Sequence, residues 1–255
     1  MIRKALLPTP KKHKREPVAR PKRKIIHRFV ENKLIGRVSY EQYREKVRDV
    51  YGGPQGALLA TASLLSLHTP LGDRLFRERK FDLRGVRHIL DIGSGAGQLV
   101  KPMLKYADPG TSIVCCDLSP KMLRRARTRL KSTVPQHVAA DLMNLPFADG
   151  SFDCVTCGYV LEHLPEAKLG LREIARVLAP GGRLLLLTTE DSFSGAFTSR
   201  LWCCRTYNRR ELYRICQDLG LKWCKEIWFS RMHQLFRAGG ICVEIEKLAG
   251  SGLRS

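Results

Sequence analysis

Residues 89–97, Ile-Leu-Asp-Ile-Gly-Ser-Gly-Ala-Gly, constrain the fold of this chain more than any other stretch. Val86, Ile89, Leu90 and Ile92 make an apolar run that reads as a buried parallel strand, which breaks into alternating glycines at 93, 95 and 97. Residues 98–106 then read as an amphipathic helix. A strand, a glycine turn and a helix in that order build a nucleotide-type site, because glycine lets the backbone come close to a ligand. The spacing narrows the ligand. A dinucleotide fingerprint, Gly-x-Gly-x-x-Gly, would put its last glycine where Gln98 stands. Asp91, two residues before the first glycine, suits a cationic ligand better than a pyrophosphate, which a neighbouring carboxylate would repel.

Downstream segments repeat the alternation of strand and helix. Thr111-Ser-Ile-Val-Cys-Cys-Asp117 is a β-rich run ending in an acid, where a carboxylate can accept both hydroxyls of a ribose. Ser119-Pro120 opens a helix as N-cap and first residue, with Met122, Leu123, Ala126 and Leu130 as its apolar stripe. His137-Val-Ala-Ala-Asp141 is a third strand-like run and again ends in an acid. Cys154-Val-Thr-Cys157 reads as a fourth strand, 166–178 as a helix buried through Leu169, Ile174, Ala175, Val177 and Leu178, and 183–189 as a fifth strand. Asn208 is placed to cap a last helix over 209–219, with Glu211 at the third position. Residues 221–229 and 241–247 read as antiparallel sixth and seventh strands. The pattern predicts an α/β, doubly wound, mostly parallel seven-stranded sheet.

Five motifs carry a family resemblance: Leu90-Asp-Ile-Gly-Ser-Gly-Ala-Gly97, Asp117-Leu-Ser-Pro-Lys-Met122, Asp141-Leu-Met-Asn-Leu-Pro-Phe147, Ser151-Phe-Asp153 and Arg176-Val-Leu-Ala-Pro-Gly-Gly182. In this order and spacing they resemble the class I S-adenosylmethionine-dependent methyltransferases, in particular the branch with the ubiquinone/menaquinone-type C-methyltransferases. The likeness runs from about residue 86 to 190. It implies a Rossmann-like methyltransferase fold, S-adenosylmethionine as cofactor and a small, lipophilic acceptor methylated by in-line displacement.

The resemblance also implies residue roles. The loop of Asp91, Gly93, Ser94, Gly95 and Gly97 would hold the methionine end of the cofactor, with Asp91 toward its ammonium. Asp117 would bind the ribose, Leu118 and Met122 would pack on the adenine, and Asp141 with the backbone of Leu142 would read the adenine edge. Tyr159 would lie where donor meets acceptor. Glu162 and His163, in Val160-Leu-Glu-His-Leu-Pro165, are candidates with Tyr159 for a general base; the alternative is that the Glu-His pair caps or supports the helix that follows. Alternatives for the whole chain are an RNA-directed methyltransferase gripping through a basic tail, and a non-catalytic cofactor-binding module. The fourth strand ends in Cys157-Gly158-Tyr159 rather than the Asn/Asp-Pro-Pro-aromatic motif of adenine and glutamine N-methyltransferases, which argues against that substrate class.

Nine cysteines, with adjacent pairs at 115–116 and 203–204, fit no disulfide framework and point to a reducing, cytoplasmic setting. Cys154 and Cys157 lie three apart on a strand, so they face opposite sides of a sheet, and no second Cys-x-x-Cys completes a zinc site. No metal site is expected. The chain carries 45 Lys and Arg against 24 acids, and residues 1–50 hold 16 of the former against 5 of the latter. Residues 1–35 therefore read as a basic, proline-rich disordered tail able to meet nucleic acid or an anionic surface through residues 3–28. No stretch is apolar enough for a membrane span.

Residues 36–84 read as a helical cap over the site, with Tyr40, Tyr43, Val47 and Val50 at helical spacing, a break at Gly52-Gly53-Pro54 and an Ala/Leu-rich run over 57–67. Residues 85–249 form the methyltransferase-like domain. Within it, 191–207 reads as an insertion whose Phe193, Phe197 and Trp202 either line an apolar pocket or pack on the sheet.

Overall fold

A computed structural model describes residues 68–192, 205–229, 234 and 240–249. The basic tail, the cap as far as residue 67, and the aromatic insertion with Phe193, Phe197 and Trp202 lie outside the described residues.

The described chain alternates helix and strand: α1 (His68–Arg77), β1 (His88–Ile92), α2 (Val100–Tyr106), β2 (Ser112–Asp117), α3 (Pro120–Leu130), β3 (Pro135–Ala139), β4 (Phe152–Gly158), a 3-10 turn (Leu161–His163), α4 (Ala167–Val177), β5 (Leu178–Thr188), α5 (Arg209–Asp218), β6 (Leu221–Glu226) and β7 (Ile241–Lys247). The strands form one seven-stranded sheet in the order β3-β2-β1-β4-β5-β7-β6. This is the doubly wound α/β architecture that the sequence predicts. The order reverses beside β1, and that switch point leaves a crevice at the carboxyl ends of β1 and β4.

Both sheet faces are covered. β1 is buried from Ile89 to Ile92, as a central parallel strand between two helical layers must be. Ile89 packs with Phe81, Val100, Met103, Ile113 and Leu123 on one face, and Leu90 packs with Val155, Leu161, Leu171 and Ile174 on the other. Each such aliphatic side chain contributes about 1.5–3 kcal/mol when fully buried. The cysteine pairs divide in the same way: Cys115 and Cys154 enter the first layer, Cys116 and Cys157 the second.

Local chemistry explains the element ends. Ser119 caps α3 by accepting from the Met122 N–H at 3.4 Å, with Pro120 at the first position. Asn208 caps α5 by accepting from the Arg210 N–H at 2.9 Å.

The structure shifts several details of the sequence reading. α2 begins at Val100 rather than 98, because Gly97 sits at φ +77°, outside helical space. In α4, Leu169 is half-buried and Gly170 and Leu171 take buried positions instead; a Cβ at Gly170 would come within 2.4 Å of Leu164, so the missing side chain sets how closely the helix packs. β5 starts at Leu178, paired with Phe152 ahead of a register shift. β6 and β7 pair antiparallel as expected, and β7 is also antiparallel to β5. β6 runs with β1–β5, because α5 carries the chain back to the starting end of the sheet before β6 begins.

Among the described residues no helix is long and apolar enough to cross a membrane.

A candidate active site at the carboxyl ends of β1, β2 and β4

The glycine loop leaves β1 and is stitched at once to the end of β2. The N–H groups of Gly93 and Ser94 both donate to the Cys116 carbonyl, at 2.8 and 3.0 Å. Ser94 Oγ donates back to the Asp91 carbonyl at 2.7 Å. Gly93 is required twice over: its φ is +70°, and a Cβ would lie 2.1 Å from Val160 Cγ2 on the segment after β4. The Gly95 N–H donates to Asp117 Oδ2 at 2.8 Å, and the Ser119 N–H donates to Asp117 Oδ1, also at 2.8 Å. Asp117 is thus locked between the loop and the start of α3, half-buried at the crevice. Burial raises its pKa, against the lowering effect of those two N–H donors.

Asp91 is the buried carboxylate of the site, only 2% exposed. Thr156 Oγ1 on β4 donates to its Oδ1 at 2.5 Å. Desolvation pushes its pKa up to about 7, with a smaller contribution from the charge of Asp117. No Lys or Arg among the described residues forms an ion pair with it. A buried acid in this state favours a cationic ligand.

The remaining cofactor candidates line the same edge. Leu118 is half-buried beside Asp117. Met122 is buried, its Cε about where a Gly95 side chain would make contact, at 3.7 Å. Asp141, just past β3, turns back on itself: its Oδ1 accepts from the Met143 N–H at 2.9 Å, and its carbonyl accepts from the Asn144 N–H at 2.9 Å. The Ala140 N–H donates to the Asp117 carbonyl at 3.1 Å, tying the second acid to the third. The Leu142 side chain belongs to the core with Leu145, Leu161 and Leu164, which leaves only its backbone to face a ligand.

After β4 the chain makes a strained turn. Tyr159 has φ +56°, a conformation that costs a non-glycine residue about 1–3 kcal/mol and clusters at functional sites. Its N–H donates to the Leu187 carbonyl at 2.8 Å. Burial raises the Tyr159 hydroxyl pKa, so it stays protonated. Glu162 is 3% exposed and takes three donors: Thr188 Oγ1 and Thr189 Oγ1, each at 2.8 Å, and the Thr189 N–H at 3.3 Å. Burial raises its pKa as well. Burial lowers the pKa of His163 to about 4, leaving a neutral imidazole at pH 7.

Sequence reasoning assigned no role to Thr156, Val160 or the pair Thr188-Thr189, whose partners come from other strands and loops. It also missed Glu190, buried just past β5. Arg209 holds Glu190 through two bonds at 2.8 and 3.0 Å, and its guanidinium lies 4.6 Å from the Trp228 ring. That cluster fastens the end of β5 to the start of α5 and the segment after β6.

A family model described as a methyltransferase domain matches residues 90–186. The demethylmenaquinone methyltransferase of Thermus thermophilus is 38% identical over 130 residues, covering 49% of this chain and 59% of that protein. The ubiquinone/menaquinone biosynthesis C-methyltransferase UbiE of Pseudomonas fluorescens is 36% identical over 159 residues, 59% of this chain and 60% of that one. The chain therefore spans about three-fifths of the length of these curated relatives. Among solved structures, magnesium protoporphyrin IX methyltransferase (ChlM) from Synechocystis, with bound S-adenosylmethionine, shares the fold. It superposes at a TM-score of 0.61 with 18% identity, over 80% of this chain and 96% of that one. The glycine loop, the acids at or just past the strand ends and the sheet order agree with these likenesses, and residues 90–186 form a methyltransferase domain.

Proposed function

We propose that this protein transfers a methyl group from S-adenosylmethionine to a small, lipophilic, quinone-like acceptor. The observation that carries the cofactor assignment is Asp117. Its two oxygens are oriented by the Gly95 and Ser119 N–H groups, and each keeps a lone pair for a ribose hydroxyl. The donor set also fits the charge of the group: Asp91 is a buried acid with no cationic partner among the described ion pairs, and the cofactor brings an ammonium and a sulfonium. The acceptor class rests on the names of the relatives, which act on demethylmenaquinone and in ubiquinone/menaquinone biosynthesis.

When bound, the cofactor supplies an already activated methyl group, so the hard chemistry is its own. The protein's part is alignment. Gly93, Ser94, Gly95 and Gly97 form the cradle, Asp91 stabilises positive charge, Asp117 fixes the ribose, and Leu118, Met122, Asp141 and the Leu142 backbone hold the base. Tyr159 borders the transfer point as a protonated phenol. Glu162 is a positioning residue: its carboxylate is consumed by Thr188 and Thr189, and it holds the turn after β4 against the end of β5. His163, kept neutral by burial, is the remaining candidate for accepting a proton. The buried free thiols of Cys115, Cys116, Cys154, Cys157, Cys216 and Cys242 suit a reducing, cytoplasmic setting.

The test is calorimetric titration of S-adenosylmethionine into wild type and Asp117→Ala, followed by turnover assays with demethylated quinols. Cofactor binding lost in the variant and methylation of a quinol support the reading. Equal binding by both proteins, or methylation of none of the acceptors, removes it.

A further inference from the structure

We propose that the outer face of α3 is a docking surface for double-stranded nucleic acid, gripped through its phosphodiester backbone. This goes beyond the methyl-transfer reading and does not depend on which acceptor is methylated.

Charge on the described helices is segregated by layer. Helices α1, α2 and α3 carry Arg74, Arg77, Lys101, Lys105, Lys121, Arg124, Arg125, Arg127 and Arg129 against a single acid, Asp73. Helices α4 and α5 mix Lys168, Arg172, Arg176, Arg209, Arg210 and Arg214 with Glu173, Glu211 and Asp218. Within the first group the charge is densest on α3, which has no acid at all.

Among the described residues the fold turns much of that charge to the surface. Met122, Leu123 and Ala126 are buried, which turns Lys121, Arg124, Arg127 and Thr128 to solvent, followed by Lys131 just past the helix. None of Lys121, Arg124 and Arg127 has a carboxylate within ion-pair distance among the described residues. Arg129, by contrast, turns inward and donates to the Ala96 carbonyl at 3.4 Å. Lys121, Arg124, Arg125, Thr128 and Arg129 together line a shallow open groove.

Three features select the partner. The cations are mostly arginine, whose planar fork matches phosphate oxygens in pairs. From Lys121 to Lys131 the stripe is about 15 Å long at 1.5 Å per residue, the axial length of about four phosphates on one strand of a duplex. The exposed positions of α3 carry no aromatic ring for stacking unpaired bases. A lipid surface fits less well. The apolar stripe that a membrane-surface helix would insert is spent on the protein's own core.

The experiment uses the full chain. Fluorescence anisotropy measures binding of a labelled RNA duplex, a DNA duplex of the same sequence and the single strands, over about 50–200 mM salt. Wild type is compared with Lys121→Glu/Arg124→Glu/Arg127→Glu and with a control of equal charge change on the other layer, Arg172→Glu/Arg210→Glu/Arg214→Glu. Glutamine versions of both sets, checked by circular dichroism melts, separate loss of contact from loss of fold. The α3 variant is expected to lose at least about tenfold in duplex affinity and to lower the salt slope by about 3, and the control to lose under about threefold. The two duplex arms tell RNA from DNA. The proposal is overturned if both variants lose equally, if the α3 variant binds like wild type (placing the grip elsewhere, as in residues 1–35), or if single strands bind more tightly than duplexes. Failure of wild type to bind duplex while it binds phosphatidylserine vesicles overturns it in favour of a membrane. None of these outcomes bears on cofactor binding, which the Asp117→Ala titration tests separately.

Discussion

Thr156 Oγ1 donates to Asp91 Oδ1 at 2.5 Å across the β1–β4 pair, where the two residues stand directly opposite each other. The bond fixes the carboxylate in place but does not neutralise it, and with 2% of Asp91 exposed the charge has little water. Its pKa of about 7 is the result. Keeping an unpaired acid buried in this way costs the folded protein some stability.

Replacing that acid separates the two effects. The Asp91 carboxyl is protonated in the folded protein up to about pH 7, whereas an unfolded aspartate ionises near 3.8. Wild type without cofactor therefore loses stability as pH rises from about 4 through 7, and Asp91→Asn does not. By denaturant unfolding at pH 8, Asp91→Asn should be more stable by up to about 4 kcal/mol. S-adenosylmethionine affinity of wild type should climb between pH 6 and 8 as Asp91 ionises, while the Asn variant binds weakly and without that climb. An affinity rise of the same size in both proteins counts against Asp91 as the titrating group.

Asp117→Ala removes the proposed ribose contacts and also orphans the Gly95 and Ser119 N–H groups. Cofactor affinity should fall by about 2–3 kcal/mol, roughly 30- to 150-fold in Kd by calorimetry. Asp117→Asn should fall less, since its amide retains one acceptor oxygen.

At Gly93 the conformation and the contact can be told apart. Gly93→Ala places a methyl 2.1 Å from Val160 Cγ2 at a φ of +70°. The expected loss is about 2–3 kcal/mol of stability together with cofactor binding. Adding Val160→Ala opens the space but leaves the φ cost, so urea melts of the double variant should recover part of the loss and not all of it.

Glu162 serves as a positioning residue if Glu162→Gln keeps the pH profile of kcat and lowers its height only a few-fold. Gln can still accept from Thr188 or Thr189. Glu162→Ala strands both hydroxyls and the Thr189 N–H, and should cost about 2–4 kcal/mol in stability. A pH limb present in wild type and missing from Glu162→Gln would make the residue a base instead.

How much of this was legible in advance depends on the range of the interaction. β1, the glycine loop and the Ser119-Pro120 cap are local: apolar runs, positive φ and capping oxygens act within a few residues, so composition and spacing reveal them. Cys154 and Cys157 fell on opposite faces because a strand has period two. The acids are legible too: Asp91 stands two residues before the first glycine, Asp117 and Asp141 close strand-like runs, and the family resemblance implies a ligand role for each.

The direction of β6, the early start of β5 and the partners of each acid depended on pairing between segments far apart in the chain. Asp91 acquires its raised pKa only because the packed sheet and its two helical layers exclude water, against the lowering effect of the hydroxyl that β4 brings in at Thr156. Glu162 reads as a catalytic candidate in Leu-Glu-His, and only the fold brings Thr188 and Thr189 from β5 to donate to it, which supports the positioning role proposed above. The sequence alone determined which residues could bind, through local sterics and chemical type. Only the tertiary structure decided which were buried, paired or left charged at the surface, because burial and Coulomb interactions depend on distance in space rather than along the chain.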